Sequence, residues 1–72
     1  MEDKLISISG PKVMESPAGY YIGKDCLVEY NFEDGEVMTI TEPYTRITTY
    51  YRSAVEAKKS WYDSYPGEAL AS

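Results

Sequence analysis

The sequence predicts a small α+β domain: an antiparallel sheet of three to four strands with one C-terminal helix packed on one face. Two observations predict it. Near residue 53 the apolar spacing changes from the alternation of a strand to the three- and four-residue intervals of a helix. Upstream, Asp34 and Gly35 separate two runs rich in β-branched and aromatic residues, which is a hairpin signal. A sheet face and a helix stripe must each be covered, and two layers are the fewest that cover both.

In chain order, residues 1–4 are polar and are expected to fray. Residues 5–8 are apolar and partly β-branched, a short strand stopped by Gly10 and Pro11. Residues 12–19 carry Pro17, end in glycine and read as a connection. Tyr20, Tyr21 and Ile22 form a brief strand, after which Gly23, Lys24 and Asp25 turn the chain. Residues 26–32 alternate, with Cys26, Val28, Tyr30 and Phe32 on one face and Leu27, Glu29 and Asn31 on the other, as in a half-buried strand. A two-residue type I′ turn at Asp34 and Gly35 sets Phe32 opposite Val37 and Tyr30 opposite Thr39 on the apolar face. The same turn sets Glu33 opposite Glu36, a like-charge pair that a longer loop would relieve. Residues 37–41 complete the hairpin and Pro43 ends it, because proline cannot donate to a ladder.

The next strand runs from Tyr44 or Thr45 to Tyr51, with Ile47, Thr49 and Tyr51 toward the core and Arg46, Thr48, Tyr50 and Arg52 toward solvent or a partner. Ser53 stands three residues before Glu56, the spacing of a capping box: the serine hydroxyl accepts from the Glu56 N–H and the carboxylate reaches back. The helix then covers residues 54–64, with Ala57, Trp61 and Tyr65 on the sheet side. Lys58 and Lys59 lie in its later half, where cations complement the carbonyl end of the dipole. Pro66 and Gly67 end it. The expected organisation is one α+β domain over residues 1–65 and a flexible tail over 66–72.

A chain of 72 residues supports one domain, and a core this small supplies no more than about 3–5 kcal/mol without a staple. Cys26 is the only cysteine and histidine is absent. An internal disulfide and the zinc sites built from Cys and His are therefore excluded, and no metal or cofactor is implied. No apolar run reaches the roughly 18–20 residues that span a bilayer, and residues 1–10 lack the layout of a signal peptide. A soluble, cytoplasmic chain with no membrane contact is the expectation.

Catalysis is not expected. There is no histidine to act as a base near neutral pH, and Cys26 has the apolar parity of a packed thiol. The carboxylates of a hairpin tip lack the walls that would raise the pKa of one of them. Asn31, Glu33, Asp34 and Glu36 are clustered oxygen donors, but they do not have the twelve-residue spread of an EF-hand loop. The glycines fit no phosphate-binding spacing.

The informative features are charge and tyrosine. The net charge is −5, and the whole excess lies in Glu29, Glu33, Asp34, Glu36 and Glu42, a stretch without Lys or Arg. Eight tyrosines against one phenylalanine exceed what a core this size can hold, so many rings should keep one edge wet. Tyrosine and arginine are enriched at interface hot spots, and strand parity sets Tyr44 and Tyr50 beside Arg46 and Arg52. The expected function is a non-enzymatic protein–protein interaction module. The acidic hairpin (Glu29, Glu33, Asp34, Glu36, Glu42) and the aromatic, basic face (Tyr44, Arg46, Tyr50, Arg52) would occupy a basic surface of a larger protein. Surfaces that hold nucleic acid are the commonest of that kind, so the action would be that of an inhibitor or modulator by nucleic-acid mimicry.

Short, acidic, tyrosine-rich and without catalytic groups, the chain is similar in composition to phage or mobile-element inhibitors of host defence. That likeness carries over no residue. Two other classes stand beside it. One is a small structural subunit or homo-oligomer that buries its tyrosine-rich face. The other is a weak single-strand nucleic-acid binder through tyrosine stacking, which the acidic excess disfavours.

Overall fold

The computed structural model describes residues 3–71; the fraying expected of Met1 and Glu2, and the last tail residue, Ser72, lie outside them. The elements are β1 (Lys4–Ile8), β2 (Lys12–Ser16), β3 (Gly19–Asn31), β4 (Val37–Arg46) and α1 (Ala54–Ser64). They form a four-stranded antiparallel sheet with one C-terminal helix, the α+β class expected.

β3 is the axis of the sheet. It pairs with β1 through residues 26–29, with β2 through residues 19–23 and with β4 through residues 23–31. A strand has two edges, and β4 shares partners with both β1 and β2, so β1 and β2 lie end to end along the opposite edge. They amount to one strand interrupted at residues 9–11. At that break the Ser9 N–H donates to the Asp25 carbonyl at 2.8 Å and the Asp25 N–H to Ser9 Oγ at 3.0 Å. Lys12 Nζ bonds the Asp25 carboxylate at 2.7 Å, which holds that carboxyl below the usual range, with Ser9 assisting.

Four expectations are corrected. Residues 12–19 are not a connection: they form β2 and a tight turn at Pro17 and Ala18, with Ser16 facing Gly19. Gly23, Lys24 and Asp25 do not turn the chain, because β3 runs through them and is bulged against β4 there. Gly23 is needed for close approach: a Cβ at that position would collide with the Thr45 carbonyl oxygen and the Tyr21 ring. Pro43 does not end β4. It pairs with Asp25, whose own N–H and C=O are engaged on the β1 side, so proline occupies a site where the β3 ladder requires no donor. Residues 45–51 are not a regular strand. β4 stops at Arg46, the Ile47 and Thr48 N–H groups both bond the Ile22 carbonyl at 2.9 and 3.2 Å, and the chain rejoins β3 through a bridge between Tyr20 and Tyr51.

The hairpin is shifted by one residue from the two-residue turn. Asn31 faces Val37, Tyr30 faces Met38 and Val28 faces Ile40. The Gly35 N–H donates to the Phe32 carbonyl at 3.0 Å and the Phe32 N–H to the Glu36 carbonyl at 2.9 Å. This is a type I turn followed by a glycine at φ 90°, a longer loop that separates Glu33 from Glu36. Asp34 Oδ1 accepts from the Glu36 N–H at 3.0 Å.

α1 begins at the N-cap the sequence indicates, with the Ser53 hydroxyl accepting from the Glu56 N–H at 3.2 Å; the returning bond from the Glu56 carboxylate to the Ser53 N–H is not formed, so the capping box is only half made. Ala57 and Trp61 are buried against Ile22, with Val13, Tyr20, Tyr51 and Leu70 around them. Leu70 and its neighbours arrive because the tail folds back at Pro66 and Gly67: Trp61 Nε1 donates to the Glu68 carbonyl at 3.0 Å and the Ala71 N–H to the Pro11 carbonyl at 2.7 Å. The molecule is elongated. Its radius of gyration is 15.0 Å, against about 11 Å for a compact domain of this length.

Truncating Trp61→Ala should cost about 3–5 kcal/mol, as much as a core of this size supplies. Denaturant titration followed by circular dichroism is therefore expected to find the variant largely unfolded in buffer.

Candidate interaction surface

Alternation along β3 sends its even-numbered residues to one face and its odd-numbered residues to the other, and residues paired across strands share a face. The even face carries the core at its β2 end, where α1 lies on Ile22 and Val13. Beyond Cys26 no second layer of helix or strand among the described residues covers it. Successive cross-strand rows there read Ile8, Cys26 and Glu42, then Leu5, Val28 and Ile40, then Tyr30 and Met38. Leu5, Ile8, Met38 and Ile40 remain 49%, 44%, 48% and 38% exposed. Four large apolar side chains therefore meet water side by side on one surface.

One polar contact crosses this face. The Tyr30 hydroxyl donates to the Glu42 carboxylate, although their rows are two apart. The ring must therefore lie along the sheet, over the row of Val28 and Ile40. The carboxylate, with burial adding to it, pushes the phenol up to about 12. A similar cross-strand pair, Tyr20 with Glu15, raises the Tyr20 phenol at the other end.

The predicted acidic set is only partly brought together. Glu33, Asp34 and Glu36 stand exposed at the hairpin tip beside this face. Glu42 lies on the face, held by Tyr30. Glu29 is on the opposite face, paired in register with Lys4 and Thr39. Of the aromatic, basic set, Arg46 and Tyr50 are also on the opposite side of the sheet. Arg46 shares the face of Gly23 and Tyr21, its guanidinium carbon is 4.7 Å from the centre of the Tyr50 ring, and Nη1 donates to the Thr48 carbonyl at 2.8 Å. Tyr50 meets the buried Tyr21 edge to face, with centroids 5.6 Å apart. Tyr44 is the exposed extra residue of the bulge, and Arg52 is exposed beside the helix N-cap.

Leu5, Ile8, Met38 and Ile40 are what sequence reasoning missed. The signal was present in the alternation of Met38 and Ile40, but a hairpin register one residue off assigns that parity to the wrong face. Among the described residues there is no enclosed pocket, no cluster of Cys, Asp or Glu arranged to hold a metal, and no helix long and apolar enough to cross a membrane. Comparison with protein-family models, curated proteins and solved structures gives no match to this chain.

Because the folded Tyr30 phenol titrates near 12, against about 10 for free tyrosine, its contribution to stability is present below about pH 10 and lost as pH rises through about 12. Tyrosinate absorbance, taken as the difference from Tyr30→Phe, is expected to show the high titration. In Glu42→Gln it should fall back toward the ordinary range.

Proposed function

We propose that this chain is a non-enzymatic protein–protein interaction module that docks a larger protein through the bare apolar half of its sheet. The acidic loop at the rim of that face selects a partner whose apolar patch is bordered by lysine and arginine. One observation carries the reading: Leu5, Ile8, Met38 and Ile40 lie in adjoining rows of one face, each more than a third exposed. Apolar surface removed from water stabilises a complex by about 25 cal/mol per Å² before the costs of association. An exposed group of this kind beside a polar rim is the anatomy of an interface.

Glu33, Asp34 and Glu36 supply the sign of the partner. Carboxylates at the rim act mainly by steering encounter and rejecting wrong partners, while the apolar centre sets the lifetime of the complex. A basic surface that otherwise holds nucleic acid satisfies both requirements, and covering it would make the protein an inhibitor or modulator acting in the cytoplasm.

Capture of host proteins on the immobilised chain, followed by binding kinetics with the captured partner, tests the reading. Ile8→Lys, at an exposed site that leaves the dichroism spectrum unchanged, should weaken the complex by about tenfold or more through faster dissociation. Reversing Glu33, Asp34 and Glu36 to Lys should instead slow association and remove its salt dependence. A partner held equally well by both variants would overturn the proposal.

A further inference from the structure

The sheet has two outer edges at its bare end, and they are built differently. β1 is five residues long, bulged between Leu5 and Ser7, and begins with Lys4. Bulges and edge lysines both discourage another strand from adding there. β4 has neither between Val37 and Glu42: its register is unbroken until Pro43, and it holds no lysine.

The hydrogen-bonding direction of β4 fixes which groups are free. Because the Phe32 N–H bonds the Glu36 carbonyl, the even-numbered residues of β4 face β3, and Val37, Thr39, Thr41 and Pro43 aim their backbone groups outward. Val37, Thr39 and Thr41 are exposed, so this edge is a regular and accessible row of donors and acceptors.

We propose that β4 pairs antiparallel with β4 of a second copy of this chain, about a two-fold axis beside Ile40, joining two four-stranded sheets into one. In this register Thr39 exchanges backbone bonds with Thr41 of the partner subunit, and the Val37 N–H meets the carbonyl of Pro43 of the partner subunit. Every outward N–H of the edge is then bonded, and the missing proline donor falls at the end of the ladder. Charge supports a second copy as the occupant. Glu36 immediately precedes β4 and Arg46 ends it, so antiparallel copies carry Glu36 to the same end of the joined edge as Arg46 of the partner subunit. The neighbouring register, centred on Thr39, sets Glu36 opposite Glu42 of the partner subunit on one face, a like-charge pair that disfavours it.

The axis is perpendicular to the sheet, so both bare apolar faces lie on the same side and form one larger surface. The inference rests on the edge alone and does not depend on the docking role given to the face.

Disulfide trapping tests it in a Cys26→Ser background. Ile40→Cys stands opposite its own counterpart at a non-hydrogen-bonded pair, where Cβ atoms come close enough to bridge, and Met38→Cys does not. Mild oxidation is expected to link Ile40→Cys chains about tenfold or more faster than Met38→Cys chains. Sedimentation of the unmodified chain should show a dimer that Thr41→Pro, which removes an outward N–H as Pro43 already does, weakens by about tenfold or more with its dichroism unchanged. A monomer from micromolar to millimolar concentration, equal trapping of the two cysteines, or fastest trapping of Thr39→Cys would overturn the proposal. None of these outcomes involves a foreign partner, so docking through the face stands or falls separately.

Discussion

A helix of 11 residues is about 16 Å long, and a strand of 13 residues is about 43 Å long. α1 therefore cannot cover the strand about which the sheet is built, and most other features follow from that mismatch. The helix settles at the β2 end, where Ile22 and Val13 offer aliphatic surface and Trp61 fills the space between layers. The rest of β3 carries two flanking strands and, among the described residues, no second layer. The molecule extends 48 Å along its principal axis and 15 Å through its thinnest dimension, the shape of a sheet half dressed by a helix.

The two halves stay in one sheet because the break in the first strand is bonded through. Ser9 substitutes a hydroxyl for a carbonyl as the acceptor of the Asp25 N–H, and Lys12 neutralises the Asp25 carboxylate at the same place. The bulge against β4 falls at the same residues of β3. Twist increases where a bulge is inserted, so the covered and bare halves meet at a twisted junction that a polar cluster bonds across.

What could be read in advance was local. The N-cap at Ser53 and the span of α1 rest on interactions within four residues, and the helical spacing of Ala57 and Trp61 marked the stripe that is buried; all stand as expected. The strands depended on long-range pairing. Pro17, Gly23 and Pro43 are turn and strand-breaking residues by composition, yet each lies within or beside a ladder. Pro17 forms a two-residue corner, Gly23 lets the Tyr21 ring and the Thr45 carbonyl approach, and Pro43 sits where no donor is needed. Of the candidate site residues, Glu33, Asp34 and Glu36 are gathered at the tip as their spacing implied. Glu29 and Glu42 are separated by parity, and the apolar residues of the bare face were concealed by one step in the hairpin register.

Docking through the bare half of the sheet requires Leu5, Ile8, Met38 and Ile40 to meet solvent while Ile22 does not. Methyl NMR of the dilute protein with a soluble paramagnetic agent tests this directly. Strong relaxation enhancement at those four side chains, with protection of Ile22, is the predicted result. Protection of all five to the same degree would mean that another layer covers the sheet, and would contradict it.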